Sequence, residues 1–144
     1  MPHPSFEELK SWADNYIRLW NAGEKDAWIE NWRKVGPGEF RMLDPVGTPE
    51  KVGFQLCCVD SWDLFQPSVN FRFAPGSLFI CANEVAWLLE NRFVSGGEER
   101  LGLSIETYRF EENGDVNIRT YYKVPQHSDA EMGEIFQTYL PDGD

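Results

Sequence analysis

The chain has 144 residues and carries 13 basic against 24 acidic side chains, which gives a formal net charge of −11. The basic residues are scattered singly, and this distribution disfavours binding to nucleic acid. The sequence shows neither an apolar leader nor an apolar run of about 18 residues, so no membrane segment is expected. We predict a cytoplasmic protein with one domain over residues 1–144, a core at about 6–124 and a C-terminal tail at 125–144.

Aromatic residues make up 15% of the chain, including 6 Trp and 10 Phe, and this content favours an aromatic-lined cavity. The cysteines and histidines lack the spacing of a metal or redox site, so we expect no metal and no cofactor. The cysteines are interpreted as small core residues of a protein in a reducing compartment. These residues are His3, Cys57, Cys58, Cys81 and His127.

The first helix has clear signals at both ends. Ser5, followed three residues later by Glu8, is the pattern of a capping box. Apolar residues then recur at three- and four-residue steps from Phe6 to Trp20, which predicts one buried face. Gly23 is placed to end this helix.

Two further helices are predicted before the sequence pattern changes. A short helix carries Trp28 and Trp32 one turn apart, and the Gly-Pro-Gly sequence at 36–38 ends it. A short strand at 39–43 leads into Asp44. Residues 52–65 then have the apolar spacing of a third helix, which a proline at position 67 stops.

The second half of the chain alternates apolar and polar residues, as strands do. Two glycine turns, Ser-Gly-Gly at 95–97 and Asn-Gly at 113–114, predict hairpins. Helices followed by an antiparallel sheet indicate an α+β fold. The predicted strands cover 69–73, 78–94 with a break at Asn83, 98–110 and 115–124.

Three segments together resemble the nuclear transport factor 2-like superfamily. They are YIRLWNAGEKDAW at 16–28, LDPVGTP at 43–49 and IETYRFEENGDVNIRTYY at 105–122. Within that superfamily the sequence is most similar to the steroid delta-isomerases, followed by the SnoaL-like polyketide cyclases. The resemblance implies three N-terminal helices packed on a strongly curved antiparallel sheet. This arrangement forms a cone with a hydrophobic pocket, and homodimers are common.

The resemblance also implies a set of catalytic residues. In ketosteroid isomerase an ionised Asp moves a proton on the carbon skeleton of the substrate, while a Tyr and a neutral carboxylic acid bind the enolate oxygen. The matching positions here are Asp44 as base and Tyr16 and Glu106 as donors. The isomerases carry Asp at the position of Glu106, so the acid of this chain is one methylene longer.

Six further residues are predicted to line the substrate pocket on the same basis. The ligand class implied is a small hydrophobic molecule, either a ketone or a polycyclic compound. The predicted pocket residues are Trp20, Phe54, Trp62, Trp87, Tyr108 and Tyr122.

The residues themselves leave alternatives open. Asp44 could be an ordinary turn residue that binds its own following amides. Tyr16 could be a core tyrosine bonded to a backbone carbonyl, and Glu106 could be solvated or paired with Arg109 or Arg119. The protein could accordingly be an isomerase-like enzyme, a cyclase or dehydratase, or a binding or dimerisation module without catalysis.

Overall fold

The computed structural model describes residues 2–123. The predicted tail at 125–144, which includes His127, lies outside the described residues. Within residues 2–123, no helix is both long enough and apolar enough to cross a membrane.

The first helix, α1, spans Phe6–Asn21 and begins with the predicted capping box. The Ser5 hydroxyl accepts a hydrogen bond from the Glu8 amide at 3.1 Å, and the Ser5 amide donates to the Glu8 carboxylate at 3.0 Å. The chain leaves this helix through Gly23, whose φ of 71° is readily adopted only by glycine. Helix α2 spans Lys25–Val35 and packs against α1. The first two helix predictions are therefore confirmed.

The third helical segment starts later than the sequence pattern predicts. Strand β1 spans Phe40–Leu43, and the short strand β2, Lys51–Val52, pairs with it in antiparallel orientation. A π-helical segment, Gln55–Val59, follows and continues into α3, Asp60–Phe65. Position 52 is thus held in the sheet by pairing with β1, a long-range contact that the helical spacing of 52–65 does not reveal.

The remaining strands are close to their predicted positions, and together with β1 and β2 they form a seven-stranded sheet within the described residues. The order is β2-β1-β7-β6-β5-β3, with β4 pairing to β5. The strands are β3 Val69–Phe73, β4 Phe79–Cys81, β5 Glu84–Ser95, β6 Glu98–Phe110 and β7 Val116–Tyr122.

The sheet is mixed, and this corrects the expectation of an antiparallel one. β1 runs parallel to β7, and their register pairs Leu43 with Arg119. The chain therefore leaves β1 at Asp44 beside Thr120, and the Val46 amide donates to the Thr120 carbonyl at 2.9 Å. The parallel pair fixes the position of the loop that carries the predicted base. The three helices pack on this open sheet to form the predicted α+β cone.

Alternation along β6 divides its side chains between the core and the outer face. Ser104, Glu106 and Tyr108 are buried, whereas Leu101 and Ile105 point to the opposite, exposed face. This distribution follows from the two-residue period of a strand.

The sequence predicted that all three cysteines lie in the core, and this is wrong for one of them. Cys57 and Cys58 are buried, but Cys81 is exposed. The difference arises because the short strand β4, which ends at Cys81, lies off the main strand order and pairs only with β5.

Candidate functional site

A cavity of about 60 Å³ lies between the helices and the inner face of the sheet. Tyr16, Asp44 and Glu106 all line it, so the structure brings the three predicted catalytic side chains to one space. Of the predicted pocket residues, Trp20, Tyr108 and Tyr122 line the same cavity, whereas Phe54, Trp62 and Trp87 lie outside its wall.

Asp44 sits on a loop that is tied to β7 and to its own turn. The Thr48 hydroxyl and amide both donate to the Pro45 carbonyl, at 2.7 and 3.2 Å, and the Asp44–Pro45 peptide bond is cis. The Asp44 carboxylate accepts a hydrogen bond from the Tyr122 hydroxyl, 78 residues away in the chain, at 3.0 Å. The turn closes through Pro45 and Thr48, while the carboxylate points toward the cavity.

The environment of Asp44 makes it a stronger base than an exposed aspartate. Burial raises the pKa of Asp44 to about 6, and the charge of Lys51 with hydrogen bonds from Tyr122 and Thr120 opposes that rise. A carboxylate with this pKa is ionised near neutral pH and can still accept a proton from a weak carbon acid in a positioned site.

Glu106 is almost fully buried, with 7% of its surface exposed. Its Oε1 atom accepts hydrogen bonds from the Trp87 indole and the Tyr108 hydroxyl, both at 2.7 Å. Arg109 pairs instead with Glu111 on the exposed side. The geometry of Glu106 therefore differs from the solvated or arginine-paired alternative.

Burial raises the pKa of Glu106 to about 7, while the hydrogen bonds from Tyr108 and Trp87 oppose that rise and the charge of Asp44 adds to it. Near neutral pH a substantial fraction of Glu106 is thus a neutral acid that can donate a hydrogen bond. The higher pKa of Glu106 and the lower pKa of Asp44 suit the roles of acid and base.

Tyr16 lies in the buried face of α1 and its hydroxyl remains protonated. Burial raises its pKa well above the usual range, and the charge of Glu106 raises it further, while a hydrogen bond with Tyr108 has the opposite effect. The hydroxyls of Tyr16 and Tyr108 and the carboxyl group of Glu106 thus form one connected group of proton donors and acceptors.

Lys51 is fully buried at this site, although no pattern in the sequence pointed to it. Its ammonium donates to the Asp44 carbonyl at 3.0 Å. Burial lowers the pKa of Lys51, and the charge of Asp44 opposes that effect. A lysine next to an exposed glutamate at position 50 gives no sign of burial in the sequence. Only the pairing of Lys51 with Met42 across β1 and β2 reveals it.

The three predicted pocket residues outside the wall fill the cone instead. Trp87 packs on Trp12 and Tyr108 with its indole held at Glu106, and Trp62 packs between Trp20 and Trp28. Phe54 packs against Phe40, and the Arg33 guanidinium lies 3.8 Å from the centre of its ring.

These side chains account for the small size of the cavity. Sites for drug-sized ligands typically measure about 300–1,000 Å³, whereas this one measures about 60 Å³. Within the part of the chain that the structure describes, no group of three or more His, Cys, Asp or Glu side chains is arranged to hold a metal ion.

No protein-family model and no curated protein sequence matches this chain. Solved structures do match. A protein described as a SnoaL-like polyketide cyclase, from Jannaschia sp. CCS1, superposes with a TM-score of 0.67 at 13% identity, covering 94% of this chain and 97% of its own. SalBIII is described as an epoxide hydrolase/cyclase-like enzyme in pyran ring formation in the polyether salinomycin. It superposes with a TM-score of 0.66 at 17% identity, and the match covers 82% of this chain and 92% of SalBIII.

A third structure, of a protein from Mycobacterium tuberculosis, gives a TM-score of 0.62 at 16% identity over 85% of this chain and 96% of its own. Each of the three matches spans most of both chains. Because the identities are low, the matches establish a shared fold and nothing more. The protein has the fold of the nuclear transport factor 2-like superfamily, as the three sequence segments predicted.

Proposed function

We propose that the protein is a cofactor-independent acid-base enzyme that shuttles a proton on a hydrophobic ketone. Asp44 is the base, and Tyr16 and Glu106 donate hydrogen bonds to the substrate oxygen. The observation that carries this proposal is that one cavity is lined by two carboxyl groups with raised pKa values, about 6 and about 7, and by a buried phenol.

Each group has one defined part in the reaction. The Asp44 carboxylate removes a proton from the carbon next to the ketone, and the electron pair of that C–H bond moves to the carbonyl oxygen. The resulting enolate oxygen accepts hydrogen bonds from Tyr16 and from neutral Glu106. Protonated Asp44 then returns the proton to the same carbon or, if the enolate is conjugated, to a carbon further along it.

Proton exchange into deuterium oxide tests this proposal whatever product the full reaction yields. A panel of cyclic, aromatic and polycyclic ketones is incubated with the protein, and deuterium at the α-carbon is followed by NMR. Asp44→Asn should slow exchange by about 10²–10⁴-fold, because a positioned general base contributes that much. Asp63→Asn is the matched control, since Asp63 is exposed and pairs with Lys25 on the surface. Equal exchange by wild type and Asp44→Asn would refute the assignment of the base.

A cyclase or dehydratase is the second candidate, because two matching structures belong to proteins described as cyclases or cyclase-like enzymes. The same base and acid would then deprotonate a nucleophile and protonate a leaving or accepting oxygen. Ring closure or loss of water, detected by a mass or retention change in the ligand panel, separates this chemistry from simple exchange. Tight binding with neither exchange nor conversion would favour a ligand-binding module.

We also propose that two copies of the chain associate through the outer face of the sheet. The strand register places Leu88, Ile105 and Tyr121 side by side across three strands. Ile105 and Tyr121 are exposed, as is Leu101 further along β6. A second copy would cover this apolar face by an isologous contact. Sedimentation velocity should show a dimer that Ile105→Glu converts to a monomer, and a monomeric wild type would refute the proposal.

A further inference from the structure

Lys51 is a buried cation next to the proposed base. Strand β2 carries it, and pairing with Met42 fixes its backbone next to the strand that ends at Asp44. The side chain is fully buried, and its ammonium donates to the carbonyl oxygen of Asp44 at 3.0 Å. One lysine therefore contacts the main chain of the base and places a positive charge close to its carboxylate.

We propose that Lys51 is a positioning residue for Asp44, which it serves by holding the main chain of the loop and by keeping the carboxylate ionised beside a second acid. This inference rests on the proposed function, in which Asp44 is the base. It adds a residue that touches neither the substrate nor the reacting atoms and acts only through Asp44.

The charge of Lys51 does more than hold the main chain, because it also acts on the Asp44 carboxylate. Removing an ammonium from water is unfavourable unless an opposite charge compensates it. A neutral amide donor would satisfy the Asp44 carbonyl at much lower cost. The positive charge adds a favourable interaction with the Asp44 carboxylate when that group is negative.

Among the groups around Asp44, Lys51 does most to oppose the rise in pKa that burial causes. Tyr122 on β7 and Tyr16 on α1 have pKa values raised by burial, so both phenols are neutral near pH 7. Burial also raises the pKa of the Cys57 thiol, on the π-helical segment, to about 12. Glu106 on β6 is the other acid that interacts with Asp44, and its negative form disfavours ionisation of Asp44.

The consequence is an order of ionisation that the reaction needs. The base must lose its proton at a lower pH than the acid, and Lys51 favours this order because its charge acts on Asp44. Without that charge, the pKa of Asp44 should rise toward or above that of Glu106. The fraction of molecules with an ionised base and a protonated acid would then fall.

Carboxyl-carbon NMR titration tests the proposal directly. Protein labelled with ¹³C at aspartate carboxyl groups is titrated as wild type, Lys51→Met and Lys51→Gln, with the Asp44 signal identified from Asp44→Asn. Met removes the charge and the donor, whereas Gln keeps a donor without charge. We expect the pKa of Asp44 to rise by at least about one pH unit in both variants, since a nearby opposite charge typically lowers a carboxyl pKa by about 1–3 units. Lys34→Met, at an exposed position of α2, should leave it unchanged.

The reverse measurement does not depend on how well the Lys51 variants fold. Coupling between two sites is reciprocal, so removing the charge of Asp44 must act on Lys51. In Asp44→Asn, the pKa of Lys51, followed through its ¹³C-labelled ε-carbon, should fall below its wild-type value. An unchanged Lys51 pKa in Asp44→Asn would overturn the proposal, as would an unchanged Asp44 pKa in folded Lys51→Gln.

Activity then separates this inference from the proposed function. If the ketone panel is turned over, the ascending limb of the pH–rate profile should move to higher pH in Lys51→Gln together with the NMR pKa of Asp44. A shifted NMR pKa with no exchange on any ketone would support the coupling of Lys51 to Asp44 while refuting the proposed reaction. Exchange that depends on Asp44, with a pKa insensitive to Lys51, would refute the positioning role and leave the reaction standing.

Discussion

The two carboxyl groups that line the cavity have different surroundings. Asp44 lies on a loop between β1 and β2, next to a buried lysine, and its partner Tyr122 comes from the neighbouring strand β7. Glu106 lies in the middle of a strand and accepts hydrogen bonds from neutral donors, the indole of Trp87 and the phenol of Tyr108. A full positive charge favours ionisation more strongly than neutral hydrogen bonds do. The contrast explains how one cavity could hold an ionised base and a protonated acid at the same pH.

Among the changes that keep both carboxyl groups in place, the largest effect is expected from removing the tyrosine that donates to the substrate oxygen. Tyr16→Phe should lower kcat for ketone exchange by about 10²–10³-fold, the usual cost of one oxyanion donor, with a much smaller change in KM. The measurement is steady-state kinetics on the best ketone of the panel. Tyr121→Phe loses the same hydroxyl on the exposed face and serves as control. A change in KM alone would show that Tyr16 binds substrate and transition state equally.

The next effect concerns how the ionisation of Glu106 changes the stability of the folded protein with pH. The pKa of Glu106 is raised from 4.5 to about 7 on folding, so the folded state holds its proton more tightly than the unfolded state. Wild type should therefore lose stability as pH rises from about 4.5 to 7, by up to about 3 kcal/mol from this group. Glu106→Gln cannot ionise, so its free energy of unfolding should fall less over that range.

Urea unfolding at several pH values measures this difference between the two proteins. The control is Glu111→Gln, since Glu111 pairs with Arg109 at the surface and not in the cavity. Parallel curves for wild type and Glu106→Gln would mean that Glu106 ionises in the folded protein much as it does in the unfolded chain.

A smaller effect is expected on the pH dependence of the reaction. Activity requires ionised Asp44 and protonated Glu106, so it should rise with pH through about 6 and fall again through about 7. The rate should be several-fold lower at about pH 5 and at about pH 8 than between the limbs. Initial rates across this range measure the profile. A rate that keeps rising above pH 8 would contradict the role of Glu106 as a proton-bearing donor.

The sequence predicted the half of the site that depends on local patterns. The capping box and apolar spacing of α1 place Tyr16 inside, and the two-residue period of β6 places Glu106 and Tyr108 on one buried face. These positions follow from helix and strand geometry once the element is identified. The hairpin turns at both ends of β6 fixed its limits in the same way.

The other half depends on contacts between distant segments, which a local pattern cannot show. The parallel pairing of β1 with β7 brings Asp44 to Tyr122, and the pairing of β1 with β2 buries Lys51. The sequence instead predicted a helix from position 52 and an all-antiparallel sheet. Aromatic content correctly suggested that rings would surround the cavity, but it could not tell a ring that lines it, such as Trp20, from one that fills the cone, such as Trp62.

The smallest effect is expected from removing the hydrogen bond that the Trp87 indole donates to Glu106. Trp87→Phe keeps an aromatic ring but removes the indole N–H that donates to Glu106 at 2.7 Å. That bond favours the ionised carboxylate, so its loss should raise the pKa of Glu106 and move the descending limb of the pH–rate profile to higher pH. The shift should be smaller than the one that removal of the Lys51 charge produces at Asp44, because a neutral donor is lost.

The Trp87 variant also shortens a buried side chain, so a matched control is needed. Trp62→Phe removes the same atoms from a buried indole that packs on Trp20 and Trp28, outside the cavity wall. Both variants should lose stability, by roughly 1–3 kcal/mol, but only Trp87→Phe should move the descending limb. If the limb moves equally in both variants, general loosening of the cone controls the acidity of Glu106. If the limb moves only in Trp87→Phe, the hydrogen bond from Trp87 controls the pKa of Glu106. The charge of Lys51 is proposed to control the pKa of Asp44 in the same way.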